Sequence, residues 1–282
     1  MKKLIILLGV VGVSFSALFV RLSHAPSMVL VFYRMLFAAV LLLPVVLTRY
    51  RGELKEMTRG EWLLSALSGV FLGLHFSCYF ASLQHTTIAA AVALVDTEVF
   101  FVAIAARFLF KKSVPPLGWA GIGVTFLGSL IIAGGDLLRG GGLLGDGLAV
   151  LGAACMAVYT LIGAGIRKNR STTAYTFVVY TMGALTVGLI LAFSGTPFVG
   201  YAPVDYLSAL GMSLFCTLLG HSVFSWGLKY ESPAFISTMK LLEPVFATVL
   251  GLCFFREIPG LLAVLGGLLV IFGVAFYAKH EG

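Results

Sequence analysis

Ten apolar runs, each about 20 residues long and bounded by charge, proline or glycine, occupy most of this 282-residue chain. They fall at 4–20, 28–48, 62–82, 87–110, 116–134, 144–166, 173–193, 204–226, 234–255 and 260–279. A helix of about 20 residues crosses a hydrocarbon core of roughly 30 Å. Inside lipid only helices and closed barrels satisfy every backbone amide and carbonyl. Charged residues make up 11% of the chain, against about 25% in a soluble domain, and the short loops leave no room for one. The expected fold is therefore all-α: a polytopic membrane protein with ten transmembrane helices. Glycine, at 33 residues, is enriched as expected where membrane helices approach closely.

A formal charge of +7 would indicate nucleic-acid binding only if Lys and Arg gathered on one exposed face, and here they sit in short loops. With the N-terminus inside, thirteen cations lie on inner loops: Lys2, Lys3, Arg49, Arg51, Lys55, Arg59, Lys111, Lys112, Arg167, Lys168, Arg170, Lys229 and Lys279. Outer loops hold Arg21, Arg139 and Arg256, and Arg34, Arg107 and Lys240 fall within runs. This positive-inside bias places both termini in the cytoplasm. Lys2 and Lys3 before an apolar run that ends near Ser23-His24-Ala25 have the outline of a cleavable signal peptide, but the repeat described next needs that first helix. Cys78, Cys155, Cys216 and Cys253 stand inside apolar runs without paired or metal-ligand spacing and read as packing residues. No metal or cofactor is expected.

Sliding the chain on itself by 145 residues aligns the fourth and fifth runs with the ninth and tenth without a gap. Glu98 meets Glu243, Phe110 meets Phe255, Lys111 meets Arg256, Gly121 meets Gly266 and Gly128 meets Gly273. Five helices separate the copies, and an odd number reverses the polarity of the second. The expected organisation is two inverted five-helix repeats, over 1–136 and 144–282. Such repeats characterise secondary transporters, whose halves move around a midplane site. The glycine pairs share one helix face and read as seams for packing the fifth and tenth helices, or as a contact for a second copy in a homodimer.

Two stretches carry a family resemblance: Ala81-Ser82-Leu83-Gln84-His85-Thr86-Thr87 leading into an Ala-rich helix, and Ser232-Pro233-Ala234 followed by Leu242-Glu243-Pro244-Val245-Phe246. With Arg34 in Phe32-Tyr33-Arg34-Met35, they make the whole chain resemble the drug/metabolite transporter superfamily, specifically its EamA-type members. The resemblance implies a ten-helix bundle whose first four and sixth to ninth helices surround a central cavity, with the fifth and tenth outside. It also implies export of a small metabolite across a bacterial cytoplasmic membrane. Lys240 departs from the EamA pattern and resembles the lysine that sugar-phosphate translocators carry near that point. Val99, not proline, is the counterpart of Pro244.

Ionisable residues at membrane depth are costly and mark functional sites by default. Glu98 and Glu243 fall near mid-span, while Arg34 and Lys240 sit at mirror-related depths. Asp96 is two residues from Glu98, roughly 200° around a continuous helix, so the two could not face one point. Two cations against three carboxylates leave one acid without an obvious partner. One of Glu98, Glu243 and Asp96 is therefore a candidate proton carrier, the others candidate contacts for a substrate amine. Lys240 has two readings, a substrate contact or half of a fixed i,i+3 pair with Glu243. Arg107 is expected to snorkel to the interface. His75 and His221 fall one residue apart in the aligned repeats and read either as neutral core residues or as substrate or proton ligands. Tyr79, Tyr159, Tyr180 and Trp226 are candidates for lining a cavity with an apolar ring and a polar tip.

No zinc-hydrolase, Walker or nucleophile-elbow pattern is present, so the expectation is a carrier driven by gradients and not an enzyme. Arg34 and Lys240 point to a substrate with a carboxylate or phosphate, such as an amino acid. The rivals are a lipid flippase and a non-transporting membrane scaffold or enzyme, with the charges as a structural network.

Overall fold

The computed structural model describes residues 1–137, 142–256 and 258–281. Arg139, assigned above to an outer loop, lies outside them. All regular structure among the described residues is helical. In chain order the helices are α1 (Lys2–Ser14), α2 (Ser16–Leu22), α3 (Ser27–Val45), α4 (Arg51–Glu56), α5 (Arg59–Ser82), α6 (Ile88–Val95), α7 (Glu98–Phe110) and α8 (Pro116–Leu137). They continue with α9 (Leu143–Ile166), α10 (Thr172–Ser194), α11 (Pro203–Gly211), α12 (Ser222–Gly227), α13 (Pro233–Lys240), α14 (Glu243–Phe255) and α15 (Leu261–His280). Two π-helical stretches, Val46–Tyr50 and Met212–His221, join α3 to α4 and α11 to α12.

Among the described residues eight stretches are long and apolar enough to span a bilayer, and Pro116–Ile132 is a shorter apolar helix. The fourth run departs from expectation. It is two short helices, α6 and α7, separated at Asp96-Thr97. The ninth run breaks in the same way, between α13 and α14 at Leu241-Leu242. Large apolar side chains point outward along the helices, among them Phe193 at 90% and Phe108 at 77% exposure. Apolar surface on this scale needs lipid, not water, as its solvent.

The chain forms two compact units, Met1–Ser77 with Val158–Tyr230, and Cys78–Ala157 with the segment from Glu231 onward. In the first unit, α3 packs on α10, and α1 packs on the π-helical stretch Met212–His221. Ile6, Val10, Met35 and Leu72 are fully buried there, and Phe15, Phe19 and Phe215 form a ring cluster with centroids 5.2–6.3 Å apart. Polar clasps tie its loops. Asp205 Oδ1 accepts from Ser23 Oγ at 2.7 Å and from the His24 amide at 2.8 Å. Arg170 donates through Nε to Glu61 Oε1 at 2.8 Å and through Nη2 to Oε2 at 2.6 Å, the two-pronged geometry that makes an Arg–carboxylate pair strong.

In the second unit the sequence repeat reappears in the backbone. Helices α6 and α13 are 8 residues each, and α7 and α14 are 13 each. Thr87 and Ser232, also 145 apart, cap the first member of each pair by accepting from Ala90 N at 3.1 Å and Phe235 N at 3.0 Å. Such caps satisfy an amide that the first helical turn leaves free. Lys111 and Arg256 end the second members in the left-handed region, at φ 55° and 56°. The proline is not what breaks the helix, since Val99 stands at the matching position of an identical break. Pro244 occupies the first turn of α14, where its missing N–H costs nothing.

Helices α8 and α15 meet along the expected glycine seam, within one chain. A Cβ on Gly128 would lie 2.7 Å from Val270 N and 2.8 Å from Gly266 O, both backbone atoms. A Cβ on Gly266 would lie 2.7 Å from Gly128 O, so the seam is reciprocal. Gly123, on the same helix, faces open space. Gly128→Leu should therefore lower stability by about 1–3 kcal/mol or more through overpacking, seen as a reduced melting temperature in detergent. Gly123→Ala should melt no lower than the parent.

Candidate substrate-binding site

The second unit gathers four of the ionisable candidates at its two helix breaks. Glu98 opens α7 and Lys240 closes α13. Each charge thus sits at the end of its own helix where the macrodipole favours it. Lys240 Nζ lies 3.2 Å from Glu98 Oε1 and 3.4 Å from Oε2, and Ser237 Oγ donates to Oε1 at 2.8 Å. The pair is largely withdrawn from the surface, with side chains 12% and 9% exposed. Ser237 carries no sequence signal of its own, because one hydroxyl on a helix face is common.

Both breaks revise the helical-face arguments made from spacing. Lys240 and Glu243 belong to different helices, so they are not an i,i+3 pair on one face. Asp96 closes α6 while Glu98 opens α7, so the 200° separation of a continuous helix does not apply. Asp96 sits at the unfavourable end of the α6 dipole, and its Oδ2 is buried without a hydrogen-bond partner among the described residues. Glu243 and Glu98 are the charges that act on it, and Glu243 also acts on Tyr79.

The first unit holds a separate polar ladder built along Met212–Gly227. Arg34, 2% exposed, donates from Nε to Thr217 Oγ1 at 3.0 Å, with its guanidinium carbon 4.4 Å from the centroid of the Phe76 ring. Cation–π attraction of this kind strengthens when both partners are desolvated. Tyr180 OH donates to Thr217 O at 3.1 Å and shares a hydrogen bond with Ser222 Oγ at 2.8 Å. Tyr159 OH pairs with Ser225 Oγ at 3.1 Å. His221, at the end of the π-helical stretch, stands edge-on to Phe76 at 5.7 Å and Tyr159 at 6.1 Å, and His75 packs on Phe76 at 4.9 Å. π-Helical turns are rare and concentrate at functional sites. The Thr217 carbonyl, which takes the Ser222 amide in this stretch, also takes the Tyr180 hydroxyl. Trp226 lies apart from the ladder and packs on Tyr230 at 4.8 Å, whose ring carries Lys2 Nζ at 4.3 Å. Arg107 is exposed, as snorkelling requires.

One feature escaped the sequence. Arg167, counted above among loop cations, is 2% exposed and donates from Nε to the Ser225 carbonyl at 3.0 Å. Nothing in its setting, Gly-Ile-Arg-Lys-Asn at a helix end, distinguishes it from Lys168 or Arg170.

Apolar helices interrupted at matching positions, with ionisable residues at the interruptions, are a feature of secondary transporters. The model of the EamA-like transporter family matches residues 2–134 and 143–278, and the chain belongs to that family. It is 28% identical over 270 residues, 93% of this chain and 91% of the other, to an uncharacterized transporter of Archaeoglobus fulgidus. It is 23% identical to the pseudopaline exporter CntI of Pseudomonas aeruginosa, over 87% of this chain and 84% of the exporter. A solved crystal structure shares the fold at a TM-score of 0.84 and 17% identity, covering 99% of this chain and 97% of that one. The chain is a multi-pass membrane protein of a transporter family.

Removing one member of a buried ion pair costs about 3–5 kcal/mol, whereas replacing both with apolar or neutral groups is often close to neutral. Lys240→Met and Glu98→Gln should each lower the unfolding midpoint in detergent, and the double variant should recover most of the loss. Additive losses in that cycle would mean the two side chains are not coupled.

Proposed function

We propose that this protein is a secondary active carrier that exports a small polar metabolite, such as an amino acid, by alternating access across a bacterial inner membrane. Ten spans arranged as two inverted repeats, over 1–136 and 144–282, with both termini cytoplasmic, give it the symmetry such a cycle needs. The observation that carries the reading is the matched break of α6–α7 and α13–α14. A helix is interrupted inside a bilayer only where the freed backbone groups meet protein, water or a ligand, and discontinuous helices are where secondary transporters bind substrate and coupling ion. That Thr87 and Ser232, and Lys111 and Arg256, repeat the caps residue for residue supports a duplicated device over an accidental kink.

Within this reading Lys240 in the second unit is a candidate for the anionic group of a substrate, by exchanging Glu98 for it, and Arg34 in the first unit is another candidate for such a group, with His75, His221, Tyr159 and Tyr180 in its own unit. Glu98, Glu243, Asp96 and Tyr79 meet an amine or hold the coupling proton. Asp96 is the foremost proton carrier, because its oxygen is buried at a helix C-terminus with two other carboxylates acting on it. The relative named as an exporter of pseudopaline supports the outward direction.

The test is a screen of amino acids, organic acids and phosphorylated sugars for thermal stabilisation, followed by counterflow in proteoliposomes. A charge-assisted hydrogen bond is worth about 1.5–3 kcal/mol, so Arg34→Met should weaken the apparent affinity for the hit roughly ten- to a hundred-fold. Asp96→Asn should leave exchange in place while abolishing uptake driven by a proton gradient. Unchanged affinity in Arg34→Met would remove that residue from the site, and transport indifferent to collapse of the proton gradient would overturn the coupling.

A further inference from the structure

Arg34 and Arg167 clasp the same helical stretch at positions eight residues apart, Arg34 on Thr217 and Arg167 on Ser225. At 1.5 Å per residue that separation is on the order of 12 Å. Between them runs the ladder of Tyr180, Ser222 and Tyr159. The two arginines differ in what satisfies them. Arg167 Nη1 is buried and has no hydrogen-bond partner among the described residues. The acidic side chain Glu53 acts on it, and Glu53 is engaged elsewhere, its Oε1 accepting from the Ser171 amide at 2.6 Å. Tyr175 OH also acts on Arg167 and is held by Ser68 Oγ at 2.6 Å.

A guanidinium keeps its charge at every physiological pH. Burying it beside the Ser225 carbonyl and Tyr175, with no ion pair among the described residues, carries a large desolvation cost. Buried polar groups left unsatisfied in a native fold call for a missing partner, and the partner a guanidinium recognises through two parallel N–H bonds is a planar or tetrahedral oxyanion. Lys168 and Asn169, the next two residues, are exposed, so the site lies one step from the aqueous end of the bundle.

We propose that Arg167 anchors a second oxyanion site, which takes a carboxylate or phosphate group on Nη1 at the end of the ladder away from Arg34. The group belongs either to a solute or to a phospholipid headgroup, whose chemistry at the guanidinium is the same. The inference deepens the transport reading by giving the anion a second station, but the site can exist without Arg34 taking part.

The experiment is a thermal unfolding series on the full chain in phosphatidylcholine nanodiscs, with inorganic phosphate or acetate added, and in discs containing phosphatidylglycerol. Any anion that binds the folded state alone raises the melting temperature by mass action. The wild type should gain roughly 3 °C or more at saturating anion. Arg34→Met should keep the share of that gain that Arg167 supplies, Arg167→Met should lose that share, and Arg167→Lys should lose less of it. Without anion, Arg167→Met should melt no lower than the wild type, because it removes an uncompensated buried charge. A gain confined to phosphatidylglycerol discs and lost in Arg167→Met assigns the site to lipid. No gain in the wild type under any arm overturns the proposal, whatever the variants do. An equal gain in wild type and Arg167→Met overturns it too. Loss of the gain in Arg34→Met alone would place the anion at Arg34 and leave Arg167 a structural clasp.

Discussion

Hydrocarbon offers no hydrogen bonds, and that constraint decides what a broken helix can mean here. An unbroken span closes its own amide and carbonyl ladder; a span interrupted at Asp96-Thr97 or Leu241-Leu242 leaves the ends of two ladders at membrane depth. The chain meets this by stacking partial solutions. Residual turn bonds such as Val99 N to Asp96 O at 3.3 Å and Val245 N to Leu242 O at 3.1 Å carry the chain across each gap. The charges then fall where the helix dipoles favour them, Glu98 and Glu243 at N-termini and Lys240 at a C-terminus. Of these four residues only Asp96 stands at the end of its helix that its charge disfavours.

The two units solve the burial of charge differently. In the second, opposite charges from two broken helices neutralise each other. In the first, Arg34 meets the Thr217 hydroxyl and the face of the Phe76 ring, and Arg167 meets the Ser225 carbonyl. An oxygen-and-ring environment lowers the cost of burying a guanidinium. Along the π-helical stretch the Thr217 carbonyl keeps a backbone donor, the Ser222 amide, and takes the Tyr180 hydroxyl besides.

Much of this was legible in the residues. Lipid-length apolar runs fixed the helical class, and the 145-residue shift fixed the equivalence of two segments down to their capping residues. The breaks were not legible, because Asp96-Thr97 contains neither glycine nor proline and the apolar run continues through it. The one proline that drew notice, Pro244, sits where it costs nothing. Pairing of Glu98 with Lys240 joins residues 142 apart, a distance at which local spacing has no voice. Arg167 was hidden for a different reason: burial of a helix-end arginine depends on whether a neighbouring carbonyl reaches it, and no local pattern encodes that.

The seam between α8 and α15 has a consequence for assembly. Small-residue faces are the surfaces by which membrane helices most readily recognise one another, and here each has already spent its face on the other. A second copy docking on α15 would meet Leu268, Ile271 and Phe272, all at least 48% exposed, and with them a surface of bulky, rotatable side chains. Association through such a surface competes with lipid on nearly equal terms, because lipid tails are as apolar as those side chains.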